Sequence, residues 1–106
     1  MLNEAIEAYK KCISLKPDFA DAYNNIGVAF RNQGKLDKAI EAYKRAISVK
    51  PDYASAYSNM GVALKDQEKF DEAIDAYKKA ISVKPDYAEA YDNMGVALKN
   101  KGKLDE

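Results

Sequence analysis

Residues 20–53 read ADAYNNIGVAFRNQGKLDKAIEAYKRAISVKPDY, and the next stretch of the chain nearly repeats them. Residues 54–87 read ASAYSNMGVALKDQEKFDEAIDAYKKAISVKPDY, the same at most positions and conservatively changed at many of the rest. The chain's three prolines, Pro17, Pro51 and Pro85, are evenly spaced. Gly27/Gly61/Gly95, Tyr23/Tyr57/Tyr91 and Tyr9/Tyr43/Tyr77 keep the same step. Interlocked series of this kind do not arise by chance in so short a chain. They mark an array of supersecondary units, in which neighbours stack instead of sharing one central core.

Each unit reads as two helices. Tyr23, Ile26, Gly27 and Phe30 fall on one face of the first. Gly34 stands where a helix stops, and Lys35-Leu36 make the turn. The second helix carries the stripe Leu36, Ala39, Ile40, Tyr43, Ala46 and Ile47, with Asp37 expected as its cap. Pro51 ends it, because the ring removes an amide donor and disfavours helix in the preceding residue. Asp52 is expected to cap the helix that follows. Connections this short make the two helices antiparallel neighbours. Glycine inside a helix costs about 1 kcal/mol against alanine, so the recurrence of Gly27 on a buried stripe requires a steric reason. Close approach of two helix axes, with Tyr23 and Tyr43 filling the space beside it, supplies one.

Composition narrows the function. Of 106 residues, 17 are Lys or Arg and 17 are Asp or Glu, so the formal charge is zero and no nucleic-acid partner is expected. No apolar run approaches the length of a membrane span, and the start MLNEAIEAYK lacks signal-peptide architecture. No membrane partner is therefore expected, and a cytoplasmic location is. The absence of histidine removes the commonest metal ligand and general base, and one cysteine makes no internal disulfide. No phosphate loop, nucleophile–base pair or metal cluster stands in the sequence, so neither a cofactor nor catalysis is expected. Cys12 occupies the small-residue position of Ala46 and Ala80 and reads as a buried structural thiol. The tyrosines read as packing residues.

The units resemble tetratricopeptide repeats. That family's pattern is carried by Tyr23, Ile26, Gly27, Phe30, Ala39, Tyr43, Ala46 and Pro51. It returns as Tyr57, Met60, Gly61, Leu64, Ala73, Tyr77, Ala80 and Pro85, with tyrosine at the place of the frequent first tryptophan. The resemblance covers the whole chain. It implies an all-α solenoid, a right-handed superhelix of antiparallel helix pairs whose first and second members are termed A and B. In that frame 1–19 is the B helix of a truncated repeat, 20–53 and 54–87 are full repeats, and 88–106 is an A helix plus the turn. The order is B-AB-AB-A, which suggests a piece of a longer array. Ile6, Tyr9 and Ile13 at one end, and Tyr91, Met94 and Leu98 at the other, lack neighbours, so head-to-tail homo-association is expected.

The resemblance also implies that A helices line a concave groove. Away from its apolar stripe the first A helix carries Asp21, Asn24, Asn25, Val28, Arg31 and Asn32. Three columns recur from unit to unit: Asn25/Asn59/Asn93, Val28/Val62/Val96 and Arg31/Lys65/Lys99. A primary amide donates and accepts, so it can pair with both the N–H and the C=O of a peptide backbone. With helices about 8–10 Å apart and an extended chain rising about 3.3 Å per residue, one asparagine meets roughly every third residue per helix layer. The ladder is similar to the one lining the repeat superhelix of O-GlcNAc transferase. The same amides are also suited to bonding neighbouring helices. Valine adds shallow apolar contact and the basic column seeks carboxylates, while Asp21, Glu89 and Asp92 keep the groove mixed in charge. The carboxylate clamp of chaperone-binding members maps onto Asn24, Val28, Asn59, Glu89 and Asn93, where only Asn59 fits and Glu89 has the wrong sign. The expected function is thus a non-catalytic scaffold holding an extended peptide or protein segment. Self-assembly by stacking, or service as the recruiting arm of a larger enzyme, are the alternatives.

Overall fold

The computed structural model describes residues 2–105. Among them are six helices and no strand: α1 (Leu2–Leu15), α2 (Ala20–Asn32), α3 (Leu36–Val49), α4 (Ala54–Asp66), α5 (Phe70–Val83) and α6 (Ala88–Asp105). None of these helices is long and apolar enough to cross a membrane. The chain divides into two compact units, Met1–Asp52 and Tyr53–Glu106.

In the first unit α2 packs on both α1 and α3. Its antiparallel course beside α1 is marked where the Gln33 amide, just past the end of α2, donates to Asn3 near the start of α1 at 2.8 Å. In the second unit α5 packs on both α4 and α6, and α4 also touches α6. There the Lys101 ammonium meets the Asp71 carboxylate at 2.6 Å. Both side chains are well exposed, so the pair fixes orientation more than it adds stability.

The A-to-B turns follow one design. Gly34 has φ +77°, its N–H reaches the Arg31 carbonyl at 2.9 Å, and the Lys35 N–H reaches Phe30 at 2.9 Å. Those two bonds satisfy carbonyls that the end of α2 leaves open, the pattern of a left-handed glycine stop. The second unit repeats it with Glu68 at φ +62°, bonding Lys65 at 2.8 Å, while Lys69 bonds Leu64 at 2.9 Å. A side chain with a Cβ is strained at that angle by about 1–2 kcal/mol. Glu68→Gly is therefore expected to stabilise the chain by about 1 kcal/mol, read as a raised urea midpoint. An unchanged midpoint would show that other contacts absorb the strain.

Two details depart from the sequence reading. Asp37 and Asp52 are not caps: the residues ahead of α3 and α4 are Lys35 and Tyr53, and neither helix has a side-chain cap bond. Asp37 falls inside the first turn of α3, where its charge favours the positive end of the helix dipole. Nor does the chain turn after the third A helix. α6 runs on through Gly102 to Asp105, since a glycine permits the left-handed stop seen at Gly34 without imposing it. The B-to-A loops use the expected proline, and a lysine lies over the aromatic that follows it. Lys16 Nζ is 5.2 Å from the Phe19 ring centre and Lys84 Nζ is 4.9 Å from that of Tyr87.

Candidate functional site

The seam between an A helix and its B helix decides which A-helix face remains free. Ala39, Tyr43, Ala46, Ala73, Tyr77 and Ala80 have no exposure at all. A Cβ on Gly27 would collide with the Tyr43 ring, and one on Gly61 would stand 2.5 Å from the Tyr77 ring. The glycines are thus required by tyrosines laid flat across them, and that face of α2 and of α4 is consumed by packing.

The burial of the Tyr43 ring carries its hydroxyl inside, where it meets no hydrogen-bond partner among the described residues. Desolvation pushes its pKa from 10.0 up to about 12, and the Arg31 charge pulls it partly back. Arg31 therefore lies near the seam as well as in the basic column, and it is half-buried.

Asn25 is exposed, and Asn59 and Asn93 are half-buried. Val28 and Val62 are half-buried and Val96 is exposed; Lys65 is half-buried and Lys99 exposed. In the second unit Asn59 and Asn93 hold the same repeat position on α4 and α6, two A helices in contact. Asn59 already makes an intramolecular interaction, but a primary amide has several donor and acceptor sites, so capacity remains. Asn24 does not belong to the open face. It is only 7% exposed, and its counterpart Ser58 only 2%, whereas Asp92 at the same position on α6 is exposed. Sequence spacing alone did not separate Asn24 from Asn25, which lie one residue apart on the helix.

The predicted ends also differ in detail. Ile6 is 5% exposed and belongs to a core cluster with Ile26, Ala29 and Ala42, so it is already used within the first unit. Tyr9, Ile13 and Met94 are half-buried, while Tyr91 and Leu98 are 49% and 50% exposed. Cys12 is half-buried, not fully buried as its repeat position suggests.

A cleft of about 320 Å³ lies by the start of α2, lined by Asp18, Phe19, Ala20, Asp21, Val49 and Lys50, and two others adjoin these helices. One of about 500 Å³ lies at the C-terminal ends of α4 and α6, lined by Lys65, Asp66, Glu68, Phe70, Asn100 and Lys103. It is of mixed charge and contains one residue of the basic column. The other, about 300 Å³ in the first unit, has Tyr23, Ile26 and Phe30 in its lining and includes Lys38 and Arg45. No asparagine or valine of the columns lines it. Among the described residues no three His, Cys, Asp or Glu side chains cluster closely enough to hold a metal ion.

The repeat geometry has a counterpart among known proteins. The family model described as TPR repeat matches residues 2–34, 29–68 and 63–102. The chain belongs to the tetratricopeptide repeat family. Its six helices are an all-α fold of the TPR solenoid class. Two crystal structures of MamA are 38% and 39% identical to it, each with a TM-score of 0.89, covering 96% and 95% of this chain. This chain spans only 56% and 59% of those two. The Sgt2 TPR domain from Aspergillus fumigatus superposes with a TM-score of 0.92 at 24% identity, over 98% of this chain and 70% of that one. The first TPR of Spaghetti (RPAP3), bound to the HSP90 peptide SRMEEVD, superposes with a TM-score of 0.90 at 24% identity, over 95% and 80%. At that identity the last two speak to the TPR fold alone. No curated protein sequence matches the chain.

Proposed function

We propose that this TPR chain is a non-catalytic scaffold that binds an extended peptide segment through the asparagine-bearing faces of its A helices. The observation that carries the reading is the division of α2 and of α4 into a face consumed by the glycine–tyrosine seam and a face left accessible. On the accessible face Asn59 and Asn93 stand in register on touching helices α4 and α6. Asn25 repeats the position in the first unit. The amides bind the ligand's main chain, Val28, Val62 and Val96 cover its apolar side chains, and Arg31, Lys65 and Lys99 form a basic margin. A relative of the same fold is bound to an HSP90 peptide, which supports a peptide as ligand class. The counterpart positions here hold a buried Asn24 and an acidic Glu89, so the proposed ligand is an internal, near-neutral segment and not an acidic C-terminus.

The test is the replacement of Asn25, Asn59 and Asn93 together by alanine, with binding of a pool of end-capped random decapeptides measured by fluorescence polarisation. At about 1 kcal/mol per lost hydrogen-bonding amide, about 3 kcal/mol for the three, affinity is expected to fall on the order of 100-fold. Unchanged affinity would remove these residues from the site.

A second reading, self-association through the two ends, is favoured by the exposed Tyr91 and Leu98. In this reading stacking is itself a function of the module.

A further inference from the structure

We propose that the groove over α2, walled by α1 and α3, is a second binding site, and that it takes an amphipathic α-helix of a partner protein with an acidic flank. The groove is the cleft of about 300 Å³ in the first unit. α1, α2 and α3 follow one another in the chain, so no other helix of a repeat array comes between them. α2 packs on both of the others, and among the described residues α1 and α3 do not touch each other. The floor is made by buried Ile26 and Ala42, members of the first unit's core cluster, and half-buried Ile13, Tyr23 and Phe30 stand round it. The volume is at the lower end of binding pockets, roughly 300–1,000 Å³, so it takes anchor side chains from a larger partner.

The rim selects the partner's charge. Lys38, Glu41 and Arg45 are exposed along α3 beside the groove. Among the described residues neither Lys38 nor Arg45 makes an ion pair. Lys38 Nζ stands 5.7 Å from the Phe30 ring centre, a cation–π contact that keeps the charge at the groove's edge. Both partners of that contact are peculiar to this repeat. Glu4 on α1 and Glu72 on α5 occupy the position of Lys38, and Leu64 and Leu98 that of Phe30. Lys38 and Glu72 mark the one position at which the two full repeats carry opposite charges. A charge reversed beside a groove whose floor positions stay apolar, as Tyr57, Met60 and Ala76, separates one ligand from another without altering the fold.

The lining also selects the ligand's conformation. Apart from the Tyr23 hydroxyl it is apolar or fully charged, so an extended segment seated there would bury N–H and C=O groups without partners. A helix satisfies its own backbone and docks by apolar side chains at i, i+3, i+4 and i+7. Lys38 and Arg45 are seven residues apart on α3, about 10.5 Å along its axis. Two carboxylates with the same spacing on a helix lying beside α3 face both cations, and a basic residue between them faces Glu41. No residue of the asparagine or valine columns lines the groove, nor does Arg31. The site is therefore separate from the face proposed for extended peptides.

The test uses a set of fluorescein-labelled, stapled amphipathic helices with a leucine or phenylalanine stripe and two glutamates seven residues apart. A matched set carries lysines in place of the glutamates, and binding is read by polarisation. The glutamate helices should bind the wild-type chain saturably, and the lysine helices roughly 10-fold more weakly. Lys38→Glu combined with Arg45→Glu changes two exposed side chains, the first to the residue that α5 already carries, so folding is expected to be kept. That variant should invert the preference, losing about 10-fold for the glutamate helices and gaining as much for the lysine helices. Joint replacement of Asn25, Asn59 and Asn93 by alanine should leave the glutamate helices bound as in wild type. No saturable binding of any glutamate helix, or a preference that does not invert, overturns the proposal. Loss of helix binding in the asparagine variant would put the ligand on the other face and overturn it as well.

Discussion

Gly61→Ala is expected to lower the unfolding free energy by about 2–3 kcal/mol, an overpacking cost near the upper end of its usual range. Gly95→Ala, the same substitution one repeat later, is expected to raise it by up to about 1 kcal/mol. The local sequences are nearly the same, so helix propensity favours alanine equally at both sites. What differs is the tyrosine. The added methyl at 61 would stand 2.5, 2.8 and 2.9 Å from three atoms of the Tyr77 ring. That ring has no exposed surface toward which it could withdraw, so either the ring leaves its rotamer or α4 and α5 move apart. At 95 the methyl meets nothing. Urea titration of the two variants, under dilute conditions that keep copies apart, checks the pair. Equal effects of the same sign would show that the tyrosine seam is not what excludes a side chain.

Alkaline conditions should unfold the chain partly through one hydroxyl. Burial holds the Tyr43 pKa at about 12 in the folded chain against 10.0 for a free tyrosine. Between those values the unfolded chain sheds the proton and the folded chain keeps it, so stability falls as pH rises. The contribution is fully present below about pH 10 and amounts to about 2–3 kcal/mol lost by the time pH passes 12. Tyr43→Phe removes both the proton and a buried hydroxyl that has no partner among the described residues. It is expected to equal or exceed wild type by about 1 kcal/mol at neutral pH and to show a shallower decline above pH 10. Urea midpoints across that range measure the difference. Parallel declines for the two proteins would mean that Tyr43 ionises as freely as an exposed tyrosine.

Where the fold was legible, it was legible because a repeat states the same constraint several times. Proline, glycine and tyrosine at a constant step give the helix pairs, their antiparallel packing and the left-handed residue at Gly34. The same logic misleads where the constraint comes from a neighbour instead of from the residue itself. Gly102 matches Gly34 in sequence, yet α6 continues through it. Glu68 takes the glycine conformation against its own preference because α5 follows and packs. Asp37 and Asp52 have the chemistry of caps, but the helix ends lie one or two residues away from where those side chains could serve. The candidate face was half legible. Its three columns were readable from spacing, whereas the burial of Asn24 and the pull of Arg31 toward the Tyr43 seam depend on packing that spacing does not encode.

The division of α2 and α4 into a packed glycine face and an accessible asparagine face, and with it the proposed role of that face, is most directly tested by the side-chain amide NMR signals of Asn25, Asn59 and Asn93. These are to be followed while the pool of end-capped decapeptides is added to a dilute sample of the chain. The expected result is a saturable shift of the Asn59 and Asn93 amides, with Asn25 responding likewise, while the backbone signals of Ala73 and Tyr77 in the seam stay in place. Saturable shifts on the outer surfaces of α3 or α5, with all three asparagine amides unmoved, would contradict the account.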